Sequence, residues 1–154
     1  MHSIFRSSIR LVTRVMWLVP LWLGLSGCGP VRQEKLAAPV DVAFDSLEQG
    51  ATSALREPFT LVLRSREEFQ EFYGRLQAGV EPPPAAPALD FSRQMVIAIG
   101  LGQRPTGGYR LEVARVHRQE GRIWVHWVEK PPAPGLPVAT ILTQPYCLLT
   151  VEWS

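Results

Sequence analysis

Cysteine and histidine are scarce in this chain, which has two cysteines and three histidines among its 154 residues. Apart from His2 at the amino terminus, the histidines are His117 and His126, and neither has a Cys, Asp or Glu at metal-ligand spacing. No Gly-x-Ser-x-Gly motif or comparable setting for a nucleophile is present. The sequence therefore predicts a protein that is not an enzyme and that holds no metal and no cofactor.

A long hydrophobic run is also missing. The apolar stretch at 15–25 is shorter than the roughly 20 residues that a membrane-spanning helix needs. It follows a start that carries Arg6, Arg10 and Arg14 and no acidic residue. A basic start before a short apolar run is the layout of a secretory signal. The alternatives are an ordinary signal peptide with an incidental cysteine after it, or a short membrane anchor.

The motif Leu-Ser-Gly-Cys at 25–28 resembles the lipobox of bacterial lipoproteins. The resemblance implies a signal peptide at 1–27 and a diacylglyceryl group on Cys28, with a third acyl chain on the new amino terminus. Several acyl chains make membrane attachment stable, because each buried methylene contributes about 0.8 kcal/mol. We therefore expect an extracytoplasmic protein, lipid-anchored in the bacterial cell envelope. Gly29 is not acidic, which favours the outer membrane where one exists.

The charge balance excludes a strongly basic protein. The whole chain has 16 basic and 14 acidic residues, but three of the arginines lie within 1–27. Removal of that segment leaves 13 basic and 14 acidic residues, a net charge of −1. A nucleic-acid-binding protein needs a clustered basic surface, so no nucleic-acid partner is expected.

The second cysteine, Cys147, has no partner for an intramolecular disulfide once Cys28 carries lipid. It lies in the run Tyr-Cys-Leu-Leu at 146–149, where a buried cysteine behaves as a small hydrophobic residue. The alternative is a reactive thiol.

One compact domain follows the predicted signal. Residues 28–40 mix Pro, Gly, Ala and charge without periodicity, which is typical of a tether. Residues 41–154 are enough for a single globular domain. Within it, Ser65 and Glu68 fit a capping box. The apolar positions that follow have helical spacing, and Gly79 lies where a carboxyl-terminal cap belongs, so the pattern predicts a helix at about 66–78.

The remainder of the domain has the pattern of short strands. The run at 95–101 is continuously apolar, as expected of a central strand that is buried on both faces. Gly121 lies in a predicted hairpin turn. Further extended segments are predicted at 40–44, 58–64, 109–116, 122–128, 140–143 and 146–153. The fold class is therefore α+β and mainly antiparallel β, either sandwich-like or an open sheet, with one helix.

The most individual stretch lies between two predicted strands and contains Gly102, Arg104, Pro105, Thr106, Gly107, Gly108 and Tyr109. Pro105 has a fixed φ, while Gly107 and Gly108 can adopt positive φ without steric cost. One interpretation is a tight hairpin with Tyr109 in the core. An anion-binding interpretation fails, because the glycines precede a strand and not a helix.

This stretch resembles the C-terminal domain of PrcB-like protease complex subunits. The resemblance extends to Leu-Asp-Phe-Ser at 89–92, the turn at Gly121, the Pro-rich segment at 130–137 and Thr-Gln-Pro-Tyr at 143–146, so that it covers 89–153. It implies a non-enzymatic accessory subunit of an extracytoplasmic protease or envelope complex. Our first hypothesis is that the loop from Gly102 to Tyr109 binds a protein partner, with the Arg104 guanidinium as a planar donor.

A second, partial resemblance concerns the motif Pro-Thr-Gly-Gly-Tyr at 105–109. It looks like the Pro-Thr-Thr-Gly-Tyr loop of chagasin-type inhibitors, which are β-sandwich proteins that insert loops into papain-like clefts. Gly107 replaces a threonine of that motif, and Arg104 stands where an asparagine is usual. The alternative function is therefore protease inhibition through the loop at 105–109.

Overall fold

A computed structural model of the chain describes residues 37–135 and 137–153. The predicted signal peptide at 1–27, the lipidation site Cys28 and all but the last residues of the 28–40 tether lie outside the described residues. Within the described part of the chain, no helix has both the length and the apolar character needed to cross a membrane.

The described residues form one helix and seven strands, which confirms the predicted α+β fold dominated by antiparallel β structure. The elements in chain order are β1 (Val40–Asp41), β2 (Phe44–Gly50), β3 (Phe59–Leu63), α1 (Arg66–Leu76), β4 (Gln94–Gly100), β5 (Arg110–Gln119), β6 (Arg122–Lys130) and β7 (Tyr146–Glu152).

Helix α1 begins where the capping pattern predicts. Ser65 is the N-cap, and its hydroxyl oxygen accepts a hydrogen bond from the Glu68 N–H at 3.2 Å. The Glu68 carboxylate in turn accepts from the Arg64 N–H at 2.8 Å, one residue before the N-cap. The helix ends at Leu76, two residues earlier than expected. Gly79 lies just beyond the end with a φ of 90°, a conformation that favours glycine.

The strands form two antiparallel sheets, a four-stranded sheet with the order β2-β7-β4-β3 and a three-stranded sheet with the order β1-β5-β6. Helix α1 covers one face of the four-stranded sheet, and the three-stranded sheet covers the other. The prediction of a two-faced central strand at 95–101 is confirmed. Val96 and Ala98 of β4 belong to the core beneath the helix, whereas Ile97 and Ile99 belong to the core between the sheets.

Two segments differ from the sequence prediction. The strand expected at 140–143 is absent, and only Thr143 forms an isolated β-bridge. Ile141 and Leu142 are 58% and 59% exposed, so this segment is apolar without being part of the core. Conversely, β2 extends to Gly50 although its sequence is mostly polar, because β2 is an edge strand held by pairing with β7.

A polar network lies where β2, β7 and α1 meet. The Glu48 carboxylate accepts hydrogen bonds from the hydroxyls of Tyr73, at 3.0 Å, and Tyr146, and from the Gln77 amide at 3.1 Å. A register irregularity between Ser46 and Glu48 interrupts the pairing of β2 with β7 at this point. Burial, and then the bonded Glu48 carboxylate, raise the pKa values of both tyrosines. Both tyrosine hydroxyls therefore remain donors to Glu48 to a higher pH than an exposed tyrosine would.

Cys147 is fully buried on β7 and is a free thiol, which confirms its interpretation as a small core residue. Its side chain belongs to the core between the sheets. Burial raises the pKa of the thiol. A reactive cysteine needs an accessible thiolate, and this environment disfavours it.

Candidate functional site

The stretch predicted to bind a partner, called here the 102–109 loop, connects β4 to β5. These strands belong to different sheets and do not pair with each other. The tight-hairpin interpretation is therefore wrong. The loop crosses from the four-stranded sheet to the three-stranded sheet. Just before the loop begins, the Leu101 N–H donates a hydrogen bond to the Pro145 carbonyl at 2.9 Å.

The Arg104 side chain ties the loop to β6. Its guanidinium forms a two-pronged ion pair with Glu129, with Nε to Oε1 at 2.7 Å and Nη2 to Oε2 at 2.8 Å. Nη1 donates to the Leu101 carbonyl at 2.8 Å. Hydrogen bonding to Glu129 raises the pKa of Arg104 further, against the opposing effect of burial. Such paired charge-assisted bonds fix orientation as well as distance.

The loop backbone is clasped, that is, held by hydrogen bonds, by residues that follow the Pro-rich segment at 130–137. Arg104 and Thr143 exchange two backbone bonds, at 2.7 and 3.0 Å. The Thr143 hydroxyl donates to the Thr106 carbonyl at 2.8 Å, and the Gly107 N–H donates to the Ala139 carbonyl at 2.9 Å. The loop is therefore held at Arg104, Thr106 and Gly107 by residues more than thirty positions later in the chain.

Glycine is required at two positions of the loop. Gly102 has a φ of 73°, and a Cβ there would stand 2.7 Å from the Pro58 backbone nitrogen. Gly108 has a φ of 83°, with Pro132 and Val138 close by. Gly107 was expected to be able to adopt positive φ, but it does not do so, and its N–H serves the bond to Ala139.

The outer side of the loop is open to solvent. Gln103, Pro105 and Gly108 are exposed, and Thr106 and Tyr109 are half-buried. Next to them lies a set of exposed apolar side chains, which we call the apolar rim: Val138, Ile141 and Leu142. A Cβ built on Gly108 would stand 3.2 Å from Val138, and Leu142 directly precedes the clasping Thr143. Val138 and the residue after Leu142 are thus both next to the loop, which places the rim beside it.

A small cleft lies at the base of this surface, where Tyr109 enters β5. It has a volume of about 200 Å³ and is lined by residues that include Gly50, Tyr109 and Tyr146. No cluster of three or more His, Cys, Asp or Glu side chains able to hold a metal ion occurs among the described residues.

The two histidines of the described chain meet on the outward face of the three-stranded sheet, opposite the core between the sheets. His117 Nδ1 and His126 Nε2 are 3.2 Å apart, and Trp124 lies parallel to the His117 ring. Burial of His117, with lesser contributions from Arg115 and His126, lowers the pKa of His117. The two ring nitrogens that face each other are therefore paired with one another by a hydrogen bond.

The structure brings all the predicted loop residues together and adds two partners that sequence reasoning missed, Glu129 and Thr143. Glu129 is one of several charged residues on β6, and Thr143 lies in a segment that resembles a strand. Neither carries a sequence signal that marks it as a loop anchor.

Residues 95–152 match the PrcB C-terminal family. The predicted resemblance over 89–153 is thus confirmed for nearly all of its length. The PrcB C-terminal segment covers less than half of the chain and contains β4, the 102–109 loop, β5, β6 and β7. Neither curated proteins nor solved structures provide a match.

The extent of the PrcB C-terminal match has a structural meaning. It includes the two central strands β4 and β7, the hairpin β5–β6 that covers them, and both Glu129 and Thr143. The loop and all of its anchors on β6 and near β7 therefore lie inside the family segment. Helix α1 and strands β1 to β3 lie outside it.

Proposed function

We propose that this protein is a non-catalytic, lipid-anchored subunit that binds a protein partner in the bacterial cell envelope. The partner that we favour is an extracytoplasmic protease or a complex that contains one. A PrcB C-terminal domain suggests a subunit associated with a protease complex. The lipobox-like motif that ends at Cys28 supports attachment to the membrane.

The observation that carries the proposal is the clasped 102–109 loop beside the apolar rim. A loop that is already held in one conformation loses little entropy when it binds. Contiguous exposed apolar side chains are typical of interaction surfaces. In this proposal Pro105, Thr106 and Gly108 contact the partner together with the rim. Arg104 holds the loop in position, because its guanidinium is already in an ion pair with Glu129.

The docking surface is tested by replacing its apolar part without touching the anchors. We expect the double variant Ile141→Ser/Leu142→Ser to bind the partner at least about tenfold more weakly, a loss of about 1.4 kcal/mol. Val128→Ser is the matched control, since Val128 is also an exposed apolar residue but lies on β6. Crosslinking pull-downs from native envelopes identify the partner, and binding to the purified partner gives the affinities.

Capture of the same proteins at the same affinity by the wild type and the rim variant would contradict the docking role. Addition of the purified protein to a captured protease then separates the two functions predicted from the loop. A complex subunit leaves proteolysis unchanged or supports it. Stoichiometric loss of proteolysis would instead assign the inhibitory function.

Membrane attachment is tested with the two cysteines of the chain. We expect Cys28→Ser to move the protein from the membrane fraction to the soluble fraction, because the thiol that receives the lipid is lost. Cys147→Ala is the matched control and leaves the protein in the membrane fraction, since Cys147 is buried in the domain. Metabolic labelling with palmitate checks the same point. Palmitate label that persists in the Cys28→Ser variant would exclude lipidation at this residue.

A further inference from the structure

We propose a second binding site, a groove beside β3 that takes an extended peptide with alternating apolar residues and one acidic side chain. None of the rim residues lines this groove, so the inference does not depend on the proposed function. Strand β3 forms one edge of the four-stranded sheet and pairs only with β4 among the described residues. An edge strand presents unpaired backbone groups that an added strand can use.

The groove lies between this edge and helix α1. It has a volume of about 380 Å³, and its apolar surface comes from Leu55, Phe59, Leu61 and Phe72. The rings of Phe59 and Phe72 meet edge to face with centroids 5.5 Å apart. Leu61 is 39% exposed, because the helix does not cover the sheet as far as its edge. An extended peptide along β3 would place every second side chain against this apolar surface.

The charged residues of the groove indicate which polar side chain the peptide carries. Two arginines line it, Arg56 and Arg75, and neither forms an ion pair with the described residues. Glu57 is the only acidic residue in the lining. An acidic side chain of the peptide would therefore meet a net positive wall, where a guanidinium can bind it through two parallel hydrogen bonds.

One wall of the groove is fixed in place. The Arg56 carbonyl accepts a hydrogen bond from the Gln103 N–H at 2.8 Å, and the Ala54 N–H donates to the Leu76 carbonyl at 2.9 Å. The segment that carries Arg56 is thus joined to the 102–109 loop on one side and to the end of α1 on the other. A preformed wall reduces the entropy lost when a peptide binds.

The test uses two pools of heptapeptides, acetylated and amidated so that no terminal carboxylate is present. In both pools Val, Ile or Leu alternates with Thr, and a single position is Asp in one pool and Asn in the other. Each pool is titrated into the ¹⁵N-labelled protein. We expect the Asp pool to shift the amide signals of β3 and of the last turn of α1, with an affinity at least fivefold higher than that of the Asn pool.

Matched variants assign the contacts. Arg56→Gln/Arg75→Gln should remove the preference for Asp while apolar binding remains, and Leu61→Asp should abolish binding of both pools. The rim variant Ile141→Ser/Leu142→Ser should bind the Asp pool normally. This control keeps a failure of the groove distinct from a failure of the docking surface.

Three results would overturn the proposal. The first is the absence of shifts at millimolar peptide, and the second is equal binding of the Asp and Asn pools. The third is a dependence of the β3 signals on protein concentration without peptide, which would show that a second copy of the chain pairs with this edge.

Discussion

Replacement of Gly102 by alanine is expected to lower the free energy of unfolding by about 2–4 kcal/mol. Two costs add at this position. The φ of 73° lies in the left-handed region, which a residue with a Cβ avoids. The added Cβ would also stand 2.7 Å from the Pro58 nitrogen and 2.8 Å from the Arg56 carbonyl oxygen, and both are backbone atoms that cannot rotate away. Urea unfolding of the purified protein measures the loss.

Gly121→Ala is the matched control for this prediction. Gly121 has a φ of 71° in the turn between β5 and β6, and a Cβ there would meet no atom within 4 Å. It therefore carries the conformational cost alone, about 1–2 kcal/mol. Equal losses for the two variants would contradict the predicted steric clash between a Cβ at position 102 and the 56–58 backbone.

Leu148→Ala and Leu149→Ala are each expected to cost about 2–5 kcal/mol. The two residues are neighbours on β7, and both are almost completely buried. Leu148 packs in the core beneath α1, and Leu149 packs in the core between the sheets. In a sheet covered on one face only, one of two successive residues would be exposed, and its replacement would have little effect.

The control is Leu142→Ala, which removes the same atoms from a position that is 59% exposed and should change stability by less than about 0.5 kcal/mol. Unfolding in urea again provides the free energies. A near-neutral result for either Leu148 or Leu149 would contradict a four-stranded sheet that is covered on both faces.

Much of the fold was predictable because its signals are local. Ser65 and Glu68 mark the start of α1, and the helix-spaced apolar residues after them mark its buried face. The continuous apolar run at 95–101 indicates burial on both faces, and β4 has it. Gly121 marks the β5–β6 turn, where both Glu120 and Gly121 adopt positive φ. In each case the residues that decide the structure are close together in sequence.

The parts that were not predictable depend on distant partners. Arg104 and Glu129 are 25 residues apart and meet only because β6 returns alongside β5. The apolar segment at 140–143 has the composition of a strand, but within the described chain only Thr143 finds a bridge partner. The polar edge strand β2 forms because β7 is available to pair with it. Patterns within a single sequence do not show which distant residues become neighbours in the fold.

The connections of the 102–109 loop determine how the domain would respond to a force applied by a bound partner. One end of the loop continues into β4 and the other into β5, while Arg104 is tied to β6 and Thr143 leads through Pro145 into β7. A pulling force applied at Pro105 or Gly108 would therefore divide between the two sheets, and it would load backbone hydrogen bonds and an ion pair in parallel.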